Sequence, residues 1–226
     1  MVVGVLLVAT LVAFLASILL ETRPSMGWAT RRRCPTRQLK TMQAQVEPHF
    51  LFNTLATVQH LVDVDPPQAS RMLGSLIAYL RAAIPQMRES ETTVDREFAL
   101  ARSYLEVLQV RMGTRLAFRA DLPPHLAARS MPPMMLISLV ENAIKHGLEP
   151  EEAGGRIDIS AREAGDRLHI QVANDGAALD PMAKGGTGLA NIRERLAAMY
   201  GDGARLVIEE GIPRGVIARL ELPRDG

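Results

Sequence analysis

The sequence predicts an α+β protein behind a membrane-spanning helix, and three observations carry that expectation. An uncharged apolar run extends from Val2 to Leu20. Apolar residues then recur at three- and four-residue spacing from Gln38 to Met112, the period of helices with one buried face. From Leu116 onward, short runs bounded by glycine and proline replace that period, as in strands interleaved with helices and packed as two layers.

The apolar run is long enough to cross a hydrocarbon core of roughly 30 Å and exceeds the usual signal-peptide core of about 7 to 15 residues. Residues 1–22 therefore read as a single transmembrane helix in the cytoplasmic membrane. Arg23, Arg31, Arg32, Arg33, Arg37 and Lys40 follow it, so the positive-inside rule places the rest of the chain in the cytoplasm. Residues 23–37 form a basic juxtamembrane linker, suited to a solvated segment or to anionic head groups.

A chain of 226 residues with 47% hydrophobic content can build one or two cored units. A net charge of +1 and 4% aromatics argue against a nucleic-acid surface. Cys34 is the lone cysteine, which excludes an intramolecular disulfide.

Within 38–90, a first helix from Gln38 to about Val64 aligns Leu51, Leu55, Val58 and Val62, and Asp65-Pro66-Pro67 ends it. A second, Gln68 to Ile84, aligns Met72, Leu73, Leu76, Ile77, Leu80 and Ile84 and is closed by Pro85. The hairpin has an apolar side with little to cover it, so pairing with a second copy into a four-helix bundle is the expected remedy. A connecting helix in 91–114 starts at Thr93 as N-cap, with Asp95 and Glu97 in its first turn, and runs to Met112. Residues 115–226 make up the α+β part: a short strand, a helix opened by Pro132-Pro133, two strands around Ala164-Gly165-Asp166, a glycine-rich stretch, a helix and two final strands.

Four places carry chemistry. Pro48-His49 puts a proline, which removes a helix hydrogen bond and clashes with the carbonyl of Ala44, beside a ring that can accept a phosphoryl group. A histidine packed at a kinked bundle surface is the competing reading. Asn53, one turn on, and Glu47 are placed to orient the ring. On the helix Met134 to Leu148, the stripe Leu136, Leu139, Val140, Ala143 and Ile144 leaves Glu141, Asn142, Lys145 and His146 on the opposite arc. A solvated face explains Glu and Lys equally well, but Asn is a mediocre helix former whose amide oxygen suits Mg²⁺.

Strand period two carries Asn174 onto the buried face, with Asp175 on the other and Gly176 next. An inward amide there needs a partner, either a bound base or the turn's own backbone. Gly185-Gly186-Thr187-Gly188 leads straight into the helix from Leu189 to Tyr200, where backbone N–H groups can hold phosphate.

In this order, these elements resemble the Bergerat-type (GHKL) ATP-binding fold of histidine kinases, MutL and heat-shock chaperone ATPases. With Pro48-His49-Phe50-Leu51-Phe52-Asn53, Leu139-Val140-Glu141-Asn142-Ala143-Ile144-Lys145-His146-Gly147 and Gly186-Thr187-Gly188-Leu189-Ala190-Asn191-Ile192-Arg193-Glu194-Arg195-Leu196, residues 38 to 222 resemble the LytS/YehU class of membrane sensor histidine kinases. The resemblance implies a homodimeric protein-histidine kinase using ATP and Mg²⁺. His49 would be the phosphoacceptor, Asn142 the Mg²⁺ ligand, and Lys145 and His146 neighbours of the phosphates. Asn174, Asp175 and Gly176 would lie at the adenine, and Gly186, Thr187, Gly188 and Leu189 in the lid over the triphosphate. The implied partner is a response regulator with a receiver domain, often of LytTR type. The fold family has an aspartate and a second glycine where this chain has Asn174 and Ala178, so charge assistance to the base is lost. Two alternatives share the fold: a membrane-tethered dimer that binds ATP without phosphorylating itself, and a hydrolase in which Glu141 activates water.

Overall fold

The computed structural model of the chain describes residues 48–178 and 187–223. The expected span at 1–22, the basic linker, the helical stretch before Pro48 with its kink against Ala44, Glu47, Gly185 and Gly186 lie outside them. Among the described residues, no helix is long and apolar enough to cross a membrane. The chain divides into two compact units between Arg71 and Met72.

The first unit contains α1 (Pro48–Val64) and the opening of α2 (Pro66–Gln86). Asp65 serves both helices: its N–H donates to the carbonyl of Leu61 (2.8 Å), and its Oδ1 accepts from the Gln68 N–H (3.0 Å). The expected start of the second helix at Gln68 is corrected here. Pro66 and Pro67 form its first turn, where a missing N–H costs nothing because those N–H groups have no helical partner. Pro85 does not close the helix either. α2 continues to Gln86, and the Met87 N–H still reaches the carbonyl of Ala83 (3.2 Å).

In the second unit, α3 (Val94–Met112) begins where the sequence predicts. Thr93 is extended, and its hydroxyl accepts from the Arg96 N–H (3.4 Å). A two-residue strand, β1 (Thr92–Thr93), pairs antiparallel with β3 (Ser130–Met131), pinning the chain before α3 to the chain before the next helix. Sequence periodicity cannot detect so short a pairing. β2 (Leu116–Asp121), β4 (Gly155–Ala164), β5 (Arg167–Asn174), β6 (Arg205–Glu210) and β7 (Val216–Pro223) form one sheet in the order β2-β4-β5-β7-β6. β2 and β4 run parallel and the other neighbours antiparallel.

Strict alternation sorts the sheet's faces. Ile157, Ile159, Leu168, Ile170, Val172, Leu220 and Leu222 are buried on the face that carries the helices. α4 (Met135–Asn142) packs on β5 and touches both α3 and α5 (Thr187–Tyr200). On the opposite face, Glu221 is buried under Arg205 (2.6 Å) and Arg219 (3.2 Å). Burial alone would raise its pKa, but those hydrogen bonds hold it below the usual carboxylate value. β5 is central and ends at Asn174, paired with Ile157 on one side and Val216 on the other, so the inner face delivers this amide to the sheet's end.

Ile170 sits mid-strand in the central strand with none of its surface exposed. Ile170→Ala should lower the unfolding free energy by about 2 to 5 kcal/mol in urea titration. A cost under about 1 kcal/mol would contradict its place in the core.

Candidate functional site

The site is built on the helix opened by Pro132-Pro133. Met134 has left-handed backbone (φ 64°, ψ 16°), unusual for a residue with a side chain, and α4 follows as a true α-helix only to Asn142. The expected continuous α-helix to Leu148 is corrected: Ala143 to Leu148 widens into a π-helix, closed by the Glu149 N–H on the carbonyl of Ile144 (2.8 Å). The cause lies outside the helix. The carbonyl of Gly147 accepts from the Ala177 N–H (2.8 Å), and a Cβ on Gly176 would collide with that carbonyl, so two backbones meet with no room for a side chain. Widening by one residue presents Gly147 to that turn, as π segments at functional positions commonly do.

The expected two-sided helix is present. Leu136, Leu139, Val140, Ala143 and Ile144 are buried, Glu141 and Asn142 are half-buried, and Lys145 and His146 are exposed. Asn142 Nδ2 donates to the carbonyl of Ser138 (2.7 Å), which turns Oδ1 to the other side of the amide. A Cβ on Gly188 would lie 3.2 Å from Asn142 Nδ2 and 3.8 Å from Oδ1, so the first turn of α5 runs beside this amide. An amide oxygen beside a helix N-terminus fits Mg²⁺ that arrives on phosphates, since that ion takes few protein ligands of its own. Among the described residues, no cluster of three or more His, Cys, Asp or Glu offers a separate metal site.

Asn174 is buried and points inward, as alternation predicts. Its Oδ1 accepts from the Gly176 N–H (3.2 Å) and its Nδ2 donates to the carbonyl of Val216 (3.4 Å), so the amide closes its own turn. An aspartate has no donor for Val216. A carbonyl oxygen has a second lone pair, so the turn and a base partner are compatible uses. A Cβ on Gly147 would stand 2.6 Å from Asn174 Oδ1, which ties the π segment to this turn. Asp175 is exposed, and its Oδ1 accepts from the Arg156 N–H (2.6 Å), an anchor to β4. Thr187, Gly188 and Leu189 open α5, while Gly186 lies outside the described residues.

In the first unit, His49 is exposed on the first turn of α1, and Asn53 Nδ2 lies 3.1 Å from its Nε2 and 3.3 Å from its Nδ1. The carbonyl of Asn53 accepts from the Thr57 hydroxyl (2.9 Å), and Thr54 bonds back to the carbonyl of Phe50 (2.7 Å). The expected His49–Asn53 pairing is present.

Glu97 has a role that a first-turn acid does not suggest. It is fully buried, and its Oε1 and Oε2 accept from the N–H groups of Met134 (2.7 Å) and Leu136 (2.8 Å) at the start of α4. Burial pushes its pKa up to about 7, against the backbone hydrogen bonds and the charge of Arg195 on α5. Arg195 is desolvated in turn, which lowers its own pKa. The sequence holds a signal for this: Val94, Glu97 and Ala101 fall three and four apart on the apolar stripe of α3, and a carboxylate on a buried stripe requires donors.

Two families match the chain in succession. Residues 37–116 match the histidine kinase family, and residues 133–226 match the histidine kinase-, DNA gyrase B- and HSP90-like ATPases. The sensor histidine kinase BtsS of Escherichia coli is 32% identical over 166 residues, covering 73% of this chain and 29% of that protein. The sensor histidine kinase YesM of Bacillus subtilis is 33% identical over 192 residues, covering 82% and 33%. The sensor protein LytS of Enterococcus faecalis is 28% identical over 201 residues, covering 83% and 34%. The chain thus spans about a third of the length of the curated relatives it matches. Among solved structures, the kinase domain of an Erythrobacter litoralis blue-light activated histidine kinase aligns with TM-score 0.46 at 16% identity, over 83% of this chain and 93% of that one. The mixed α/β architecture of the second unit is that of the GHKL-type kinase catalytic domain.

A carboxyl whose pKa is raised by folding favours the fold in its protonated form. The contribution of Glu97 is therefore complete below about 4.5 and is lost as pH rises to about 7. Its full size is on the order of 3 kcal/mol at about 1.4 kcal/mol per pKa unit. Urea midpoints of the full chain should fall over that window, and Glu97→Gln should flatten the fall. A midpoint that rises with pH there, and still rises in Glu97→Gln, would contradict it.

Proposed function

Because the chain belongs to the sensor histidine kinase family, we propose that it transfers the γ-phosphoryl group of ATP to His49 and then to an aspartate of a response regulator. The observation that supports this most is the meeting of Asn142, the first turn of α5 and the Asn174 turn around one π segment. In this reading, Asn174, Asp175 and Gly176 form the base end. Lys145 and His146, with Gly186, Thr187, Gly188 and Leu189, form the phosphate end. Asn142 would hold Mg²⁺ through its amide oxygen, and the ion would neutralise phosphate charge there.

Asn53, whose Nδ2 lies 3.1 Å from Nε2 and 3.3 Å from Nδ1, orients the ring, and with the ring proton on Nδ1 the Nε2 atom keeps its lone pair. Nε2 attacks the γ-phosphorus; the P–N bond forms as the bond to the bridging oxygen breaks, and ADP departs with that electron pair. The ring proton stays on Nδ1 until the phosphohistidine forms, then passes to solvent. A receiver aspartate next attacks the same phosphorus, and a reprotonated imidazole leaves. The transition state is loose, so alignment and charge neutralisation supply most of the acceleration, and Lys145 adds positive charge at the phosphate end.

Phe52, 72% exposed, and Val64, 66% exposed, lie on α1 and support pairing with a second copy. A single membrane span at 1–22, a catalytic part in the cytoplasm and a regulator of LytTR type complete the reading.

The full chain given Mg-ATP should acquire an acid-labile phosphate, and His49→Gln should reduce the label to background while nucleotide binding persists. Label that survives His49→Gln sinks the assignment. Binding without label in the unsubstituted chain identifies a non-phosphorylating dimer. Steady phosphate release independent of His49 identifies a hydrolase working through Glu141.

A further inference from the structure

We propose that Glu97 is a positioning residue for the nucleotide site: its ionised carboxylate grips the first N–H groups of α4 and thereby sets Asn142, two turns further on. The inference rests on the reading of Asn142 as part of a nucleotide site.

A hydrogen-bonded line connects the two residues. Glu97 Oε1 accepts from the Met134 N–H (2.7 Å), the carbonyl of Met134 accepts from the Ser138 hydroxyl (2.8 Å), and the carbonyl of Ser138 accepts from Asn142 Nδ2 (2.7 Å). Met134, Ser138 and Asn142 are four residues apart, so the line runs up one side of the helix. Its foot is a strained residue: Met134 is left-handed without being glycine, a conformation that persists only where its surroundings enforce it. Both carboxylate oxygens are engaged, the second by the Leu136 N–H (2.8 Å).

Stability alone does not require this arrangement. A solvated Ser or Asp at the helix start would satisfy the same N–H groups without burying a charge. The residue used instead comes from another helix, so α3 fixes where α4 begins. Among the described residues, the charged groups around it are few. Arg195 faces it from α5, while Arg96, its neighbour on α3, is drawn to Glu89 (2.7 Å). The first turn of α4 brings only Met134, Met135 and Leu136.

Protonation converts one carboxylate oxygen into a donor. That O–H then faces an N–H that also donates, one of the two N–H groups loses its partner, and the foot of the line loosens. Ionisation thus orders Asn142 while it lowers global stability, because the cost of burying the charge is borne by the fold. The two effects run in opposite directions with pH, which separates a positioning role from a merely structural one.

The test is the calorimetric Kd of Mg-ATP for the full chain at about pH 6 and about pH 8, below and above the value to which burial raises Glu97. In the unsubstituted chain, binding should tighten on the order of tenfold across that interval, the effect of regaining one charge-assisted hydrogen bond. Glu97→Gln should bind weakly at both values, and the γ-phosphate's own titration cancels in the comparison. Equal pH ratios in the two proteins would overturn the proposal. Should Glu97→Gln fail to fold, Arg195→Gln carries the test: removing the facing charge should move the midpoint of the affinity change to higher pH, and an unmoved midpoint overturns it. Phosphohistidine measured on the same samples keeps the two readings apart. Absent label with intact pH-dependent binding removes the kinase reading and leaves this one standing.

Discussion

The carboxylate of Glu97 is the constraint on which the second unit is arranged. It accepts from both N–H groups that a helix cap would otherwise satisfy, and it does so from a different helix. Because α4 starts where Glu97 holds it, the apolar stripe of that helix falls on β5 and the polar arc falls on the far side. A buried carboxylate without donors would be costly, and donors at a helix start without an acceptor would be nearly as costly, so each requires the other. Arg195 adds α5 to the same point, and three helices are referenced to one acid.

At the other end of α4 the limiting interaction is between backbones. Gly147 and the turn at Gly176 approach until no side chain fits between them, and the helix widens to allow it. Asn174 sits in that contact with one amide group serving two tasks, one as acceptor and one as donor. It closes its turn through Oδ1 and holds the carbonyl of Val216 through Nδ2. An amide is the group that can do both, which gives the asparagine at this position a structural reason independent of any base. Asp175 has a similar tie, to Arg156 on β4.

Much of this was legible in residue spacing. The helices through Met112 announced themselves by apolar residues three and four apart, the strands by alternation, and the inward aim of Asn174 by period two. Prolines misled at two places, Pro66 and Pro85. Pro66 reads as a stop, but the same ring is tolerated in a first turn, and only the Asp65 cap shows which case applies. The π segment left no trace in the pattern, since Leu139, Val140, Ala143 and Ile144 fit an α-helix as well as the register that forms. Glu97 was visible only as an acid suited to a helix dipole, although its position on the stripe of α3 already conflicted with that simple role.

The sequence by itself determined which residues face inward and which chemical groups share an arc, because side-chain direction follows from local period. His49 with Asn53, and Asn142 with Lys145 and His146, belong to that class. Tertiary structure alone decided where α4 begins, that its last turns are π, and that Asn142 lies beside Gly188. Those outcomes depend on contacts between residues far apart in the chain, such as Glu97 with Met134 and Gly147 with Ala177. No local period encodes such contacts, because their free energy appears only when the elements meet.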